Sequence, residues 1–263
     1  MQQQQKQQQQ QRLPMTASEK IPIPLPYDAK RVASANNDAW RNQNVSQLPP
    51  ISENLIPGSD KLFLFFGGLV GSIGMFPFEF YRSAQILDHS KIFFRDIYQA
   101  WYQRGLPGIG RDAYAIGDYL QAKIDASGAT EVRFIGNSMG GYAALMFCAM
   151  LGRGKAITFV PQTFICPQKR LKLGDDRYQD KVHALHQNLT ATDIVDLKQW
   201  ISERRPEMEA QVHVSGEEPI DMLHANELEG FGNIAIHRYA QGGGHDLVQW
   251  LRDAGELAKI LKA

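Results

Sequence analysis

Five residues constrain this chain more than any others: Gly136-Asn-Ser138-Met-Gly140. They follow a buried-strand pattern, Glu131 to Ile135, and precede Gly141 to Leu151, whose small residues and apolar faces read as a helix buried against a sheet. A serine at the tip of a strand-to-helix hairpin is forced into a strained backbone conformation, which lifts its Oγ clear of the sheet. The chain doubles back that tightly only where the positions two before and two after carry almost no side chain, the role of Gly136 and Gly140. Strand, serine turn and helix in this order form a nucleophile elbow, and they require a sheet with helices packed on it.

The rest of the chain is consistent with that requirement. Lys61-Leu-Phe-Leu-Phe-Phe66, ending in Gly67-Gly68, is a continuous apolar run of the kind found in a fully buried parallel strand. Further strands are expected at 91–94, 155–160, 211–214 and 234–239, with helices over 78–87, 111–126 and 246–261. Strands alternating with helices imply right-handed crossovers and a mainly parallel sheet covered on both faces. Residues 162–205 interrupt the alternation with a polar, helical pattern, which predicts a cap inserted over the end of the sheet.

At 263 residues the chain can bury a substantial core, and one α/β domain is expected over 60–263. Its 28 basic and 28 acidic side chains cancel, which argues against broad attraction to nucleic acid or an anionic membrane. No stretch approaches the roughly 18 apolar residues of a membrane span. The two cysteines, Cys148 and Cys166, offer neither a disulfide framework nor metal-ligand spacing, so a reducing compartment, the cytoplasm, is expected. Residues 1–20 are dominated by glutamine and lack the apolar surface to offset chain entropy, so disorder is expected there. Residues 21–59 open with Ile21-Pro-Ile-Pro-Leu-Pro26 and read as a stiff linker or strap.

A serine hydroxyl needs a base, and the base needs a third group to hold it. Of seven histidines, His245 is singled out because it follows Gly242-Gly243-Gly244, directly after the last strand and before the last helix. The plainer reading is an ordinary turn with Asp246 as helix cap. His213 and His237 fall inside strands, His183 and His186 belong to the insertion as candidates to line substrate, and His89 lies between elements. The acid is expected after the strand ending at Val214, where Glu217, Glu218 and Asp221 are available. Asp221 is chosen for its shorter side chain, with a helix expected just beyond it from His224. The alternative makes Asp221 a helix cap and passes the role to Glu217 or Glu218. Oxyanion donors are expected at the backbone N–H of Met139 and at Gly68 or Leu69.

Gly136-Asn-Ser138-Met-Gly140, Phe66-Gly-Gly68 and Gly244-His245, in this order and on this strand pattern, resemble the α/β-hydrolase superfamily over about residues 60–263. The resemblance implies a mostly parallel twisted sheet of about six to eight strands, helices on both faces, and a Ser-Asp-His triad. The chain departs from many members in having Phe-Gly-Gly where they carry His-Gly. Little before Asp60 looks like the opening strands of the larger members, which points to a shortened sheet of roughly six strands.

The loop after the first strand is apolar, and Met75 and Phe76 are candidates to wall a substrate pocket together with Trp101 and Phe164. Arg95, Tyr102 and Arg104 also lie past a strand's C-terminal end, where open α/β sheets bind ligands. Lys169, Arg170 and Lys172 are candidates to hold an anionic group, with a solvated face as the plainer reading. No Gly-x-x-x-x-Gly-Lys phosphate loop is present, and no cofactor or metal is expected. The expected activity is hydrolysis of a small-molecule carboxylic ester through an acyl-enzyme. An acyltransferase or thioesterase using the same triad, or a non-catalytic relative that binds partners, are the alternatives.

Overall fold

The computed structural model of the chain describes residues 49–69, 78–204 and 207–263. At its centre lies β2 (Lys61–Phe66), buried along all but its first residue. Its continuous apolar sequence follows from its position, because a strand covered on both faces has no side left to show to water. Leu62, Leu64 and Phe66 point into one hydrophobic layer, and Phe63 and Phe65 into the other.

Around β2 the sheet adds β1 (Ile51–Asn54), β3 (Ser90–Phe94), β4 (Glu131–Asn137), β5 (Lys155–Phe159), β6 (Glu209–Ser215) and β7 (Ile234–Tyr239). The seven strands run in the order β1-β3-β2-β4-β5-β6-β7. All pairings are parallel except β1 with β3. The chain runs outward from β2 in both directions, to β3 on one side and through β4 on the other. This order reversal opens a crevice at the carboxyl ends of the strands. Register brings Phe66 beside Gly136 and Asn137 beside Phe159, so the elbow stands at that crevice.

Helices α1 (Ala113–Ser127) and α2 (Met139–Leu151) pack in the first layer. Helices α7 (Leu247–Asp253) and α8 (Glu256–Lys262) pack in the second. Between β5 and β6 the chain forms α3 (Pro167–Leu173), α4 (Gln179–Gln187) and α5 (Leu197–Arg204), and α6 (Pro219–Asn226) follows β6.

Three expectations change. Residues 21–59 are not linker throughout, because Ile51–Asn54 joins the sheet as an antiparallel edge and brings it to seven strands, within the six to eight expected. Three of this strand's four residues are polar; Glu53 accepts hydrogen bonds from Tyr119 Oη (2.5 Å) and Lys123 Nζ (2.9 Å). Its lack of an apolar run hid it. The helix expected over 78–87 is only a 3-10 turn at Ser83–Ile86, although Phe78, Phe80 and Leu87 are buried as the apolar pattern implied. The final helix is two, broken at Gly255, whose φ of +74° no helix accommodates. The glutamine-rich tail and the proline segment lie outside the described residues.

Candidate active site

The elbow is built by what is missing from it. Ser138 has φ 54° and ψ −117°, outside the regions open to an ordinary side chain. Such a residue costs on the order of 1–3 kcal/mol and persists only where its surroundings hold it. Here a methyl group on Gly136 would lie 2.0 Å from the Gly140 carbonyl oxygen, and one on Gly140 would lie 2.0 Å from that of Phe66. Neither position can carry a side chain, so the backbone of the turn packs directly onto β2. Ser138 N–H donates to Phe159 O at 2.9 Å, and Ser138 O accepts from Tyr142 N at 3.1 Å, tying the turn to β5 and α2.

His245 arrives on a short 3-10 turn, Gly244–Asp246, after two glycines with φ of 67° and 60°. Its Nε2 is 3.0 Å from Ser138 Oγ, and its Nδ1 is 2.7 Å from Asp221 Oδ2. An ionised carboxylate only accepts, so Nδ1 carries the proton and the Nε2 lone pair faces the serine hydroxyl. That is the tautomer a general base requires.

The three carboxylates of the β6–α6 segment have different positions. The helix begins at Pro219, earlier than expected, and Glu218 caps it by accepting from Ile220 N. Asp221 therefore sits in the first helical turn, fully buried and directed at His245. Glu217 Oε2 instead accepts from Gly242 N (3.0 Å) and Gly243 N (2.9 Å) and pins the glycine loop that carries His245. Those two N–H groups hold its carboxyl below the usual range.

A buried charge network behind Asp221 was not anticipated. Arg177 Nη1 donates to Asp221 Oδ1 at 2.6 Å, and its Nε to Asp175 Oδ1 at 3.2 Å. Asp175 Oδ2 also accepts from Arg170 Nη1 (2.8 Å) and meets His224 Nε2 (3.1 Å). Thr163 N–H donates to His224 Nδ1 at 3.0 Å, so the imidazole proton is on Nε2 and points at Asp175. Burial alone would raise Asp175, but His224, Arg177 and Arg170 outweigh it and hold its carboxyl well below the carboxylate range. Burial pushes His224 down. The adjacent Tyr178 lies in the left-handed region at φ 57°, and burial raises its phenol.

Several predicted ligand groups have structural partners instead. Trp101 is fully buried and donates its indole N–H to Gln162 Oε1, and Phe164 is fully buried against the His224 ring at 4.1 Å. Neither presents a surface to a pocket. Tyr102 Oη donates toward Gly67 O and Phe94 O, and Arg104 pairs with Asp193. Lys169 is paired with Asp196 and Glu227, and Arg170 with Asp175, so neither is available as an anion site. Met75 and Phe76 lie outside the described residues. Among the oxyanion candidates, the Gly68 N–H is engaged by Glu79 Oε2 at 2.7 Å, leaving Leu69 and Met139. His186 contacts Ile165 O, His183 pairs with Gln187, His89 lies near Asp60, and His213 stacks on His237.

No family sequence model matches the chain, and no curated protein matches it by sequence. Solved structures do. A capsule O-acetyltransferase of Neisseria meningitidis serogroup A is 14% identical over 81% of this chain and 92% of its own, with a TM-score of 0.56. A lipase-esterase related protein of Clostridium acetobutylicum is 13% identical over 81% and 97%, with a TM-score of 0.51. A fluorophosphonate-binding serine hydrolase of Staphylococcus aureus is 15% identical over 78% and 84%, also with a TM-score of 0.51. The chain has the α/β-hydrolase fold. In an α/β-hydrolase fold the crevice at the strand ends is where Ser138, His245 and Asp221 meet in this chain. Among the described residues no cluster of His, Cys, Asp or Glu side chains is arranged to hold a metal ion, and no helix is long and apolar enough to cross a membrane.

Proposed function

We propose that this protein is a serine-dependent enzyme that cleaves a small-molecule carboxylic ester through an acyl-enzyme on Ser138. The observation that carries the reading is the continuous contact from Ser138 Oγ through His245 to buried Asp221, at 3.0 and 2.7 Å. In the first half-reaction Ser138 Oγ bonds to the ester carbonyl carbon while His245 Nε2 takes its proton. The carbonyl oxygen becomes an oxyanion, faced by the amides of Met139 and Leu69, each typically worth roughly 3–4 kcal/mol. Collapse breaks the bond to the alcohol oxygen, which leaves with the proton from His245. Water then attacks the acyl carbon, giving a proton to His245 and returning Ser138 as the acid departs. Asp221 holds the imidazole and offsets its charge while it is protonated. The helical segment between β5 and β6 acts as a cap, delivering Arg177 to Asp221.

A second reading replaces water by an acceptor hydroxyl, so that the acyl group is transferred. It is favoured by the likeness to an O-acetyltransferase. The two separate in one experiment on p-nitrophenyl esters of increasing chain length, with and without an alcohol or sugar acceptor. Hydrolysis predicts free acid as the main product throughout. Acyl transfer predicts a new ester and faster nitrophenol release when acceptor is added. No nitrophenol release above that of Ser138→Ala, with any ester, contradicts both.

A further inference from the structure

Glu79 stands between the segment that leaves β2 and the 3-10 turn before β3, and its two carboxylate oxygens go in different directions. Oε2 accepts from the Gly68 backbone N–H and Oε1 from the Asn137 side-chain amide, both at 2.7 Å. Gly68 immediately precedes Leu69, and Asn137 immediately precedes Ser138 and Met139. The two segments are in close contact at this point. A methyl group on Gly68 would be 3.0 Å from Asn137 O and 3.7 Å from Ser138 Cβ. A carboxylate suits the position because both its oxygens accept, whereas a carboxamide would turn an NH2 group toward one of two donors. Burial raises the Glu79 carboxyl, and the Gly68 N–H, the Asn137 amide and His245 partly offset that rise.

We infer that Glu79 is a positioning residue: its carboxylate ties the loop that carries Leu69 to the elbow that carries Met139, and so sets the spacing of the two oxyanion donors. The inference rests on the reading of Ser138 as nucleophile. Glu79 touches no reacting atom in that scheme. It acts through Gly68 and Asn137, and the charge-assisted bonds to both make the bridge stiffer than a neutral contact.

The test compares wild type with Glu79→Ala, Asn137→Ala and the double variant, using p-nitrophenyl acetate turnover, fluorophosphonate labelling rate and amide hydrogen exchange. Displaced donors weaken transition-state binding and leave ground-state binding intact, so Glu79→Ala is expected to lower kcat about 10- to 100-fold with KM within about threefold. Asn137→Ala lowers kcat less, and the double variant is no worse than Glu79→Ala, because both substitutions cut the same bridge. The Gly68 amide exchanges at least about tenfold faster in Glu79→Ala while the Ile135 amide, inside β4, is unchanged. A kcat within twofold of wild type, a KM that rises as far as kcat falls, or effects that multiply in the double variant would each overturn the proposal. If wild type itself neither labels nor turns over, the reading of Ser138 falls and takes this role with it. If wild type labels and Glu79→Ala labels at the same rate, only the role of Glu79 falls.

Discussion

Ser138 and Asp221 meet the same imidazole, yet they are held by opposite means. The serine stands on backbone packed against backbone, where Gly136 and Gly140 leave no room for even a methyl group. The aspartate stands in a lattice of charge, with Arg177 on its second oxygen and Asp175, Arg170 and His224 behind that. Steric positioning is rigid and fails completely when violated. Electrostatic positioning depends on every member being present, because removing one leaves buried charges without partners.

The largest effects should come from the steric side. Gly140→Ala places a Cβ 2.0 Å from Phe66 O and is expected to abolish soluble, cooperatively folding protein, read by circular dichroism and thermal melting. A well-folded Gly140→Ala variant would show that the elbow is not held by close approach. Next comes the acid. Asp221→Asn is expected to cut kcat by about 10⁴ through the wrong histidine tautomer while the fold survives. A loss smaller than tenfold, with a severe one for Glu217→Gln or Glu218→Gln, would reassign the acid.

Arg177→Met probes the charged side directly. It leaves the Asp221 and Asp175 carboxylates without their shared cation, and a loss of about 3–5 kcal/mol in urea unfolding is expected. A change below about 1 kcal/mol would mean that the network contributes no more than a surface pair. Glu217→Gln removes the charge that grips Gly242 and Gly243, and should lower kcat only by a factor of roughly two to five, as befits an exposed contact.

The smallest effect is a pH dependence remote from the site. His213 is buried against Phe159, its Nδ1 meets Tyr239 Oη at 2.9 Å, and burial with nearby His237 and Lys155 lowers its pKa to about 3. The unfolded chain binds a proton near the ordinary histidine value of 6.5 and the folded chain does not. The contribution of His213 to stability is therefore complete above that value and declines as pH falls from there toward 3. His213→Asn should flatten that part of the stability–pH curve, and an unchanged slope would contradict the assignment.

The contrast between the two sides also explains what could be read from sequence. A steric device is local: two glycines flanking a serine at the end of an apolar strand carry their meaning in five residues, and Gly243-Gly244 before His245 do nearly the same. The charge network is long-range, with Arg177 and Asp221 44 positions apart. In sequence, Gly174-Asp-Asp-Arg-Tyr178 resembles a solvated turn, and only the fold reveals that Asp175 is buried. The helix expected from His224 begins instead at Pro219, a proline at the first helical position capped by Glu218, and that earlier start, not read from the sequence, places Asp221 in the first turn. Trp101 and Phe164 misled because an aromatic near a strand end fits a pocket wall and a packed core equally well until its neighbours are known. Glu79 left no signal, since its partners are a backbone amide and a side chain 58 residues away.

The central claim is that Ser138 is an activated nucleophile. Intact-protein mass spectrometry after fluorophosphonate treatment, with peptide mapping of the adduct, tests it most directly. The account predicts a single phosphonyl adduct on Ser138 in wild type and none in Ser138→Ala. An unlabelled wild-type protein, or an adduct that persists in Ser138→Ala, would contradict it.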